Sequence, residues 1–284
     1  MKVHAIQTGS VKIKLAQADA PHPGPLGIVG VLLDKDWSGW LPTYAWVIEH
    51  RDGVIVVDTG QAAYLLEAVR KSLHPFLHNC AVFDMAPELE VGPQLRTLGI
   101  GARDVKQVVL THMHIDHDAG LSHFPHSTIR VAPGEIAGAR GLRGQLMGHL
   151  PQRWPSWFDP EALDLTDGAY GPFAASRRLT ADGSVIAVAT PGHTANHVSV
   201  VVEDGDVSLL LAGDTSYNEA LMLAGKIDGV SPNAARSAAT LAAIHQFATD
   251  RPVVYLPTHD PEAGARLVRR QIVPLYRGKE RHAA

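Results

Sequence analysis

The sequence predicts a mixed α/β fold built as one domain, and three observations predict it. Apolar runs of strand length recur along the 284 residues, several ending abruptly in His or Asp. Helix-spaced apolar stretches lie between them, and no linker-like Gly/Ser or Pro tract divides the chain. Apolar residues make up 45% and charged residues 19%, a balance that buries a large core. A net charge of -4 with His neutral offers no basic field for a phosphate backbone, which argues against nucleic acid as a partner. No run approaches membrane-span length, no basic and apolar leader opens the chain, and the lone Cys80 permits no intrachain disulfide. A cytoplasmic protein with no membrane partner is therefore expected, with Cys80 as a small buried hydrophobe.

Taken in order, residues 3–15 alternate loosely and read as one or two edge strands. Residues 16–42 are rich in Pro, Gly and Trp and read as an irregular excursion over a site or against a partner. Residues 44–49 and 54–60 flank an Arg51-Asp52-Gly53 turn as a hairpin that ends in Asp58-Thr59-Gly60. Helices are expected in 61–73, through Leu65, Leu66, Val69 and Leu73, and in 85–98. A strand at 105–110 runs into the densest polar stretch of the chain, Asp118 to Leu121 start a helix, and a second strand covers 128–132.

Residues 135–178 carry Trp154, Trp157 and Phe158 among several prolines and glycines, and read as a pocket wall, a dimer contact or a satellite apolar cluster. Regular order then returns with strands at 184–189, 198–202 and 207–211, a helix at 233–247 and a strand at 253–256. The match between 54–60 and 209–215, each an apolar strand running into Asp, hints at two related halves.

Chemistry concentrates at strand ends. Thr111 to Gly120 packs His112, His114, Asp116, His117 and Asp118 directly behind an apolar strand, and imidazole with carboxylate suits zinc and its first-row neighbours. His193, Asp214 and His259 each follow a later strand. Sheets set their strand ends along a common rim, so seven of these, all but Asp118, can converge. Seven exceed the needs of one tetrahedral zinc and suit two ions sharing a bridging carboxylate, with positions open for water or substrate.

The run His112-Met113-His114-Ile115-Asp116-His117 resembles the His-x-His-x-Asp-His signature of the metallo-β-lactamase superfamily, and the later landmarks match in order. The resemblance implies an αββα sandwich. It also implies one metal on His112, His114 and His193, a second on Asp116, His117 and His259, and Asp214 as the bridge. A hydroxide between two zinc ions would attack a carbonyl, with Asp116 shuttling a proton to the leaving group. Asp214 stands where some true β-lactamases have cysteine, and His114 where diiron members usually have a carboxylate, so zinc hydrolysis is expected over penicillin cleavage or redox chemistry.

Within the superfamily, Tyr217 in Asp214-Thr215-Ser216-Tyr217 resembles the tyrosine of N-acyl-homoserine lactone lactonases, which implies quorum quenching by ring opening. It also allows a packing tyrosine on the following helix. The main expectation is a dizinc lactonase, and a homodimer is compatible with the exposed tryptophans. Rival readings are a same-fold hydrolase of another lactone, a thioester or an organophosphate, and a non-catalytic metal-binding scaffold. His197 reads either as a support for a ligand or as a strand-start residue bonded to backbone. His123, His126, His149 and His245 read as surface or structural.

Overall fold

The computed structural model describes residues 1–72, 74–146 and 148–276, so Leu73 of the expected 61–73 helix lies outside the described residues. Among the described residues, twelve strands form two sheets. The first holds β1 (Lys2–Ile13), β2 (Leu41–His50), β3 (Gly53–Val57), β4 (Ala81–Asp84), β5 (Val105–Val109), β6 (Thr128–Val131) and β7 (Glu161–Ala162) in the order β4-β1-β2-β3-β5-β6-β7. The second holds β8 (Ser176–Arg178), β9 (Val185–Ala189), β10 (Val198–Asp204), β11 (Val207–Gly213) and β12 (Val253–Pro257) in the order β12-β11-β10-β9-β8.

Strand alternation explains the layering, because successive side chains serve opposite faces. From β2 and β3, Trp46, Ile48, Ile55 and Val57 point inward and meet Ala187, Val200, Leu209, Leu211 and Leu256 of the second sheet. Their neighbours Ala45, Val47 and Val56 point outward onto Val91, Leu95 and Phe124. On the far side, Ile186, Val201 and Leu210 carry Leu241, Ile244 and Phe247 of the helix Ala234–Asp250. Both sheets are thus covered on their outer faces by helices, which is the expected αββα sandwich. Each fully buried Val, Leu or Ile contributes about 1.5–3 kcal/mol through this burial.

Several local expectations shift. Of residues 3–15, those up to Ile13 form a single strand that is not at an edge, since β1 pairs with β2 on one side and on the other with β4, which takes the edge position, while Leu15 opens a helix. The 85–98 helix shortens to a turn at Pro87–Leu89 and the helix Val91–Thr97, and the 61–73 helix to Leu65–Lys71. The 16–42 excursion contains the helices Leu15–Ala18 and Gly27–Leu33. The helix expected to start at Asp118 is instead Ile115–Asp118 followed by a 3-10 turn, Ala119–His123. Asn233 caps the long helix, its side chain accepting from the Arg236 amide. Trp154 and Phe158 pack against the outer cluster of the first sheet, and the Trp154 indole donates to Asp118 at 2.7 Å.

The internal echo has a topological counterpart. β3 lies parallel to β5, and β11 lies parallel to β12, so each Asp-terminated strand stands beside a strand that leads into a His-bearing loop. No helix among the described residues is long and apolar enough to cross a membrane.

Candidate metal centre

The polar groups at the strand ends meet on one rim. β5 delivers Thr111 to His117, β9 leads to His193, β11 ends at Asp214 and β12 leads to His259. Three groups gather there with potential ligand atoms within 4.8 Å of one another: His112, His114 and His193; His112, His117 and Asp214; and Asp116, His117 and His259. All seven sequence candidates are therefore brought together.

Each imidazole is oriented by its other nitrogen. His117 Nδ1 donates to Asp58 at 2.9 Å, and His112 Nδ1 donates at 3.0 Å to the Thr111 hydroxyl, which itself donates to Asp58 at 2.9 Å. His193 Nδ1 faces Asp228 at 3.3 Å and His259 Nδ1 donates to the Pro42 carbonyl at 2.9 Å. The Nε2 lone pairs of these four rings consequently point inward. His114 Nδ1 lies 2.9 Å from His112 Nε2 and 3.0 Å from His193 Nε2, and one proton on it can serve only one of them.

Asp214 occupies the middle. Its Oδ2 is 3.5 Å from His193 Nε2 and 3.4 Å from His259 Nε2, while Oδ1 is 3.4 Å from His117 Nε2. His117 Nε2 and Asp214 Oδ1 are buried without a hydrogen-bond partner. Buried polar atoms are otherwise nearly always satisfied, so converging lone pairs with orphaned atoms between them fit divalent cations.

The electrostatics agree. Burial drives His112 and His114 well below the usual histidine range. Burial acts the same way on His117 but is outweighed by Asp214 and Asp58, which raise it. Burial also works against the Asp214 carboxylate, yet His117 and His259 hold it well below the ordinary range. Burial pushes the Tyr217 phenol well above its usual value, leaving it a neutral donor.

Tyr217 precedes the helix Glu219–Leu223 and stacks on His259, with ring centres 5.4 Å apart. Its hydroxyl accepts from Gln17 Nε2 at 2.8 Å. A cavity of about 380 Å³ starts at His114, Asp116, Asp214, Tyr217 and His259 and extends to an apolar wall of Val11, Ile13, Phe76 and Phe83.

Sequence reasoning passed over most of the supporting residues. Asp58 stood out only within the Asp58-Thr59-Gly60 element that ends the hairpin and resembles the lactonases, and as one end of the internal echo, with no role assigned to it. Asp228 and Glu135 lie outside any periodic signal, although Glu135 ties the loops together by accepting from the Met113 and Asn196 amides and the Thr194 hydroxyl. His197 is buried and bonded on both sides, to Thr190 and to the Asp214 amide at 3.1 Å, and burial holds its pKa down to about 3. The chain can bring His197 this close because Gly213 has no Cβ and adopts φ 58°. His149, read as surface or structural, is half-buried and structural: it donates to the Met113 carbonyl and stacks on His114 at 5.7 Å.

Fold and centre together define an αββα protein whose strand-end rim is built to hold metal. Residues 38–259 match the metallo-beta-lactamase superfamily, and the chain belongs to it. A probable metallo-hydrolase of Mycobacterium bovis is 31% identical over 188 residues, 64% of this chain and 58% of that relative, so the match spans under two thirds of the relative's length. An N-acyl homoserine lactonase of Agrobacterium fabrum is 24% identical over 239 residues, 79% of this chain and 84% of that one. In structure, an N-acyl homoserine lactone hydrolase solved with N-hexanoyl-L-homoserine at its catalytic metal center superimposes with a TM-score of 0.74 at 18% identity, covering 92% and 94% of the two chains.

Proposed function

We propose that this chain is a dizinc lactonase that opens the ring of N-acyl homoserine lactones and thereby quenches a bacterial signal. The observation that carries this reading is the continuous cavity joining the His/Asp cluster, through Tyr217, to an apolar wall able to take an acyl tail. His112, His114 and His193 would hold one ion and Asp116, His117 and His259 the other, with Asp214 between them. When bound, such ions supply Lewis acidity that activates water and polarises the ester carbonyl.

The protein's own groups do the rest. Tyr217 presents its phenol hydrogen to the substrate, because Gln17 already donates to the phenol oxygen and leaves that hydrogen free. Asp116, with its side chain 15% exposed, reaches the cavity, takes up a proton at its carboxylate and returns it to the ring oxygen released when the acyl C–O bond breaks. The apolar wall excludes water from the tail, and the 16–42 segment contributes Gln17, Gly24, Pro25 and Ile28 to the cavity lining.

The test is a substrate panel on the metal-loaded protein, run beside Tyr217→Phe. Lactones with acyl tails are expected to be the best substrates, and the variant to lose about 10²-fold in kcat with its metal content intact. A thioester or phosphotriester cleaved far faster than any lactone would overturn the substrate, and unchanged kinetics in Tyr217→Phe would overturn the role of the phenol.

A further inference from the structure

The loop between the helices Glu219–Leu223 and Ala234–Asp250 places a carboxylate against the centre. Asp228 is 4% exposed, and its conformation is fixed by three donors: the Val230 amide at 2.9 Å, the Ser231 amide at 2.7 Å and the Ser231 hydroxyl at 2.7 Å. The remaining interaction of Oδ2 is with His193 Nδ1 at 3.3 Å. This loop does not float. Gly229 donates to the Gln17 carbonyl at 2.9 Å and Ala20 donates to the Ile227 carbonyl at 3.0 Å. A Cβ on Gly229 would lie 2.4 Å from the Ala16 carbonyl oxygen, and one on Gly27 would lie 2.6 Å from the Gly229 carbonyl oxygen. Two backbones thus meet at a glycine pair, and the 16–31 segment holds the Asp228 loop in place while Gly24, Pro25, Ile28, Gly229 and Val230 all line the cavity.

We propose that Asp228, clamped by the 16–31 segment through Gly229, is a positioning residue for the metal site of His112, His114 and His193. It fixes the His193 ring with Nε2 facing inward and raises the basicity of that nitrogen as a ligand. This rests on the reading that His193 holds a metal. Outer carboxylates on ligating histidines characteristically change metal affinity by about 10–100-fold. The effect is local, since the companion group of Asp116, His117 and His259 is held by Asp58 and the Pro42 carbonyl instead.

The experiment is chelator-competition titration of zinc into the full chain, comparing wild type, Asp228→Asn, Asp228→Ala, Gly229→Ala and His193→Ala, with visible spectra of the cobalt-loaded forms. Expected is a loss of about 10-fold at one of two sites in Asp228→Asn and up to about 100-fold in Asp228→Ala, the second site holding its wild-type affinity. The cobalt spectrum should shift in both, and Gly229→Ala should weaken the same site with Asp228 still present. Wild-type isotherms and spectra in folded Asp228 variants, alongside an impaired His193→Ala, would overturn the role of Asp228 alone. Full two-site affinity in His193→Ala would overturn it together with the assignment of His193.

Discussion

Two clusters in this molecule are built from the same residue types and end in opposite ways. At the hairpin turn, His50 Nε2 donates to Asp182 at 3.0 Å and its Nδ1 accepts from the Asp52 amide at 3.0 Å. Asp182 Oδ1 in turn accepts from the Thr180 and Ser184 hydroxyls, and Asp52 Oδ2 from the Ala181 amide. Ser184 lies 3.3 Å from His50, but that ring has no free lone pair to serve as a base. These bonds close the hairpin against the second sheet. At the centre, by contrast, His117 Nε2 and Asp214 Oδ1, 3.4 Å apart, are both buried without a hydrogen bond. Residue identity does not separate the clamp from the centre; what sets the centre apart is that atoms left without a hydrogen bond lie among converging ligand atoms.

The sharpest way to break this comparison is to remove the group at the middle of the centre. Asp214→Ala is expected to drop metal content below two ions per chain and to cut lactone kcat/KM by about a thousandfold or more, read by elemental analysis and steady-state kinetics. A variant retaining both ions would show that the orphaned atoms are not the mark of the site. Next in size is Asp58→Asn, which weakens the support of His117 and of the Thr111 relay to His112. Metal affinity should fall by about 10–100-fold in chelator competition.

Metal removal reaches the fold as well. Ligand binding to the native state at about a thousand times Kd adds about 4 kcal/mol, so chelator-treated protein should melt several degrees lower and recover on adding zinc. The smallest effect belongs to the structural cluster. Asp182→Asn should leave lactone kinetics unchanged and lower Tm by a few degrees at pH 7. Ser184 and Thr180 donate to the Asp182 carboxylate and hold its pKa below the usual value. A depressed folded pKa contributes stability above the unfolded value of about 3.9 that is lost as pH falls through the folded one, so the Tm gap between variant and wild type should be constant from neutral pH to about pH 5 and narrow progressively as pH falls below about 4. A gap that persists in acid would assign the difference to packing.

What was legible in the chain follows from range. Strand ends, the spacing of His112, His114, Asp116 and His117, and the apolar runs of β2, β3, β9, β10 and β11 are local, so a mixed α/β fold and the candidate ligands could be read from composition and order, and the sandwich from the family resemblance they carry. The supporting shell is not local. Asp58 reaches Thr111 and His117 across 53 and 59 positions, His259 is oriented by a carbonyl 217 positions away, and Gln17 meets Tyr217 across 200.

The short β4 shows the same limit. It carries little pattern of its own and becomes a strand because β1 offers it a free edge. By itself, then, the sequence determined the family, the sandwich and seven groups able to hold metal. Only the tertiary structure decided which nitrogen of each ring faces inward, which buried atoms are left unsatisfied, and that Asp228 stands behind His193. Those are properties of contacts between distant segments, and no periodicity along a chain encodes them.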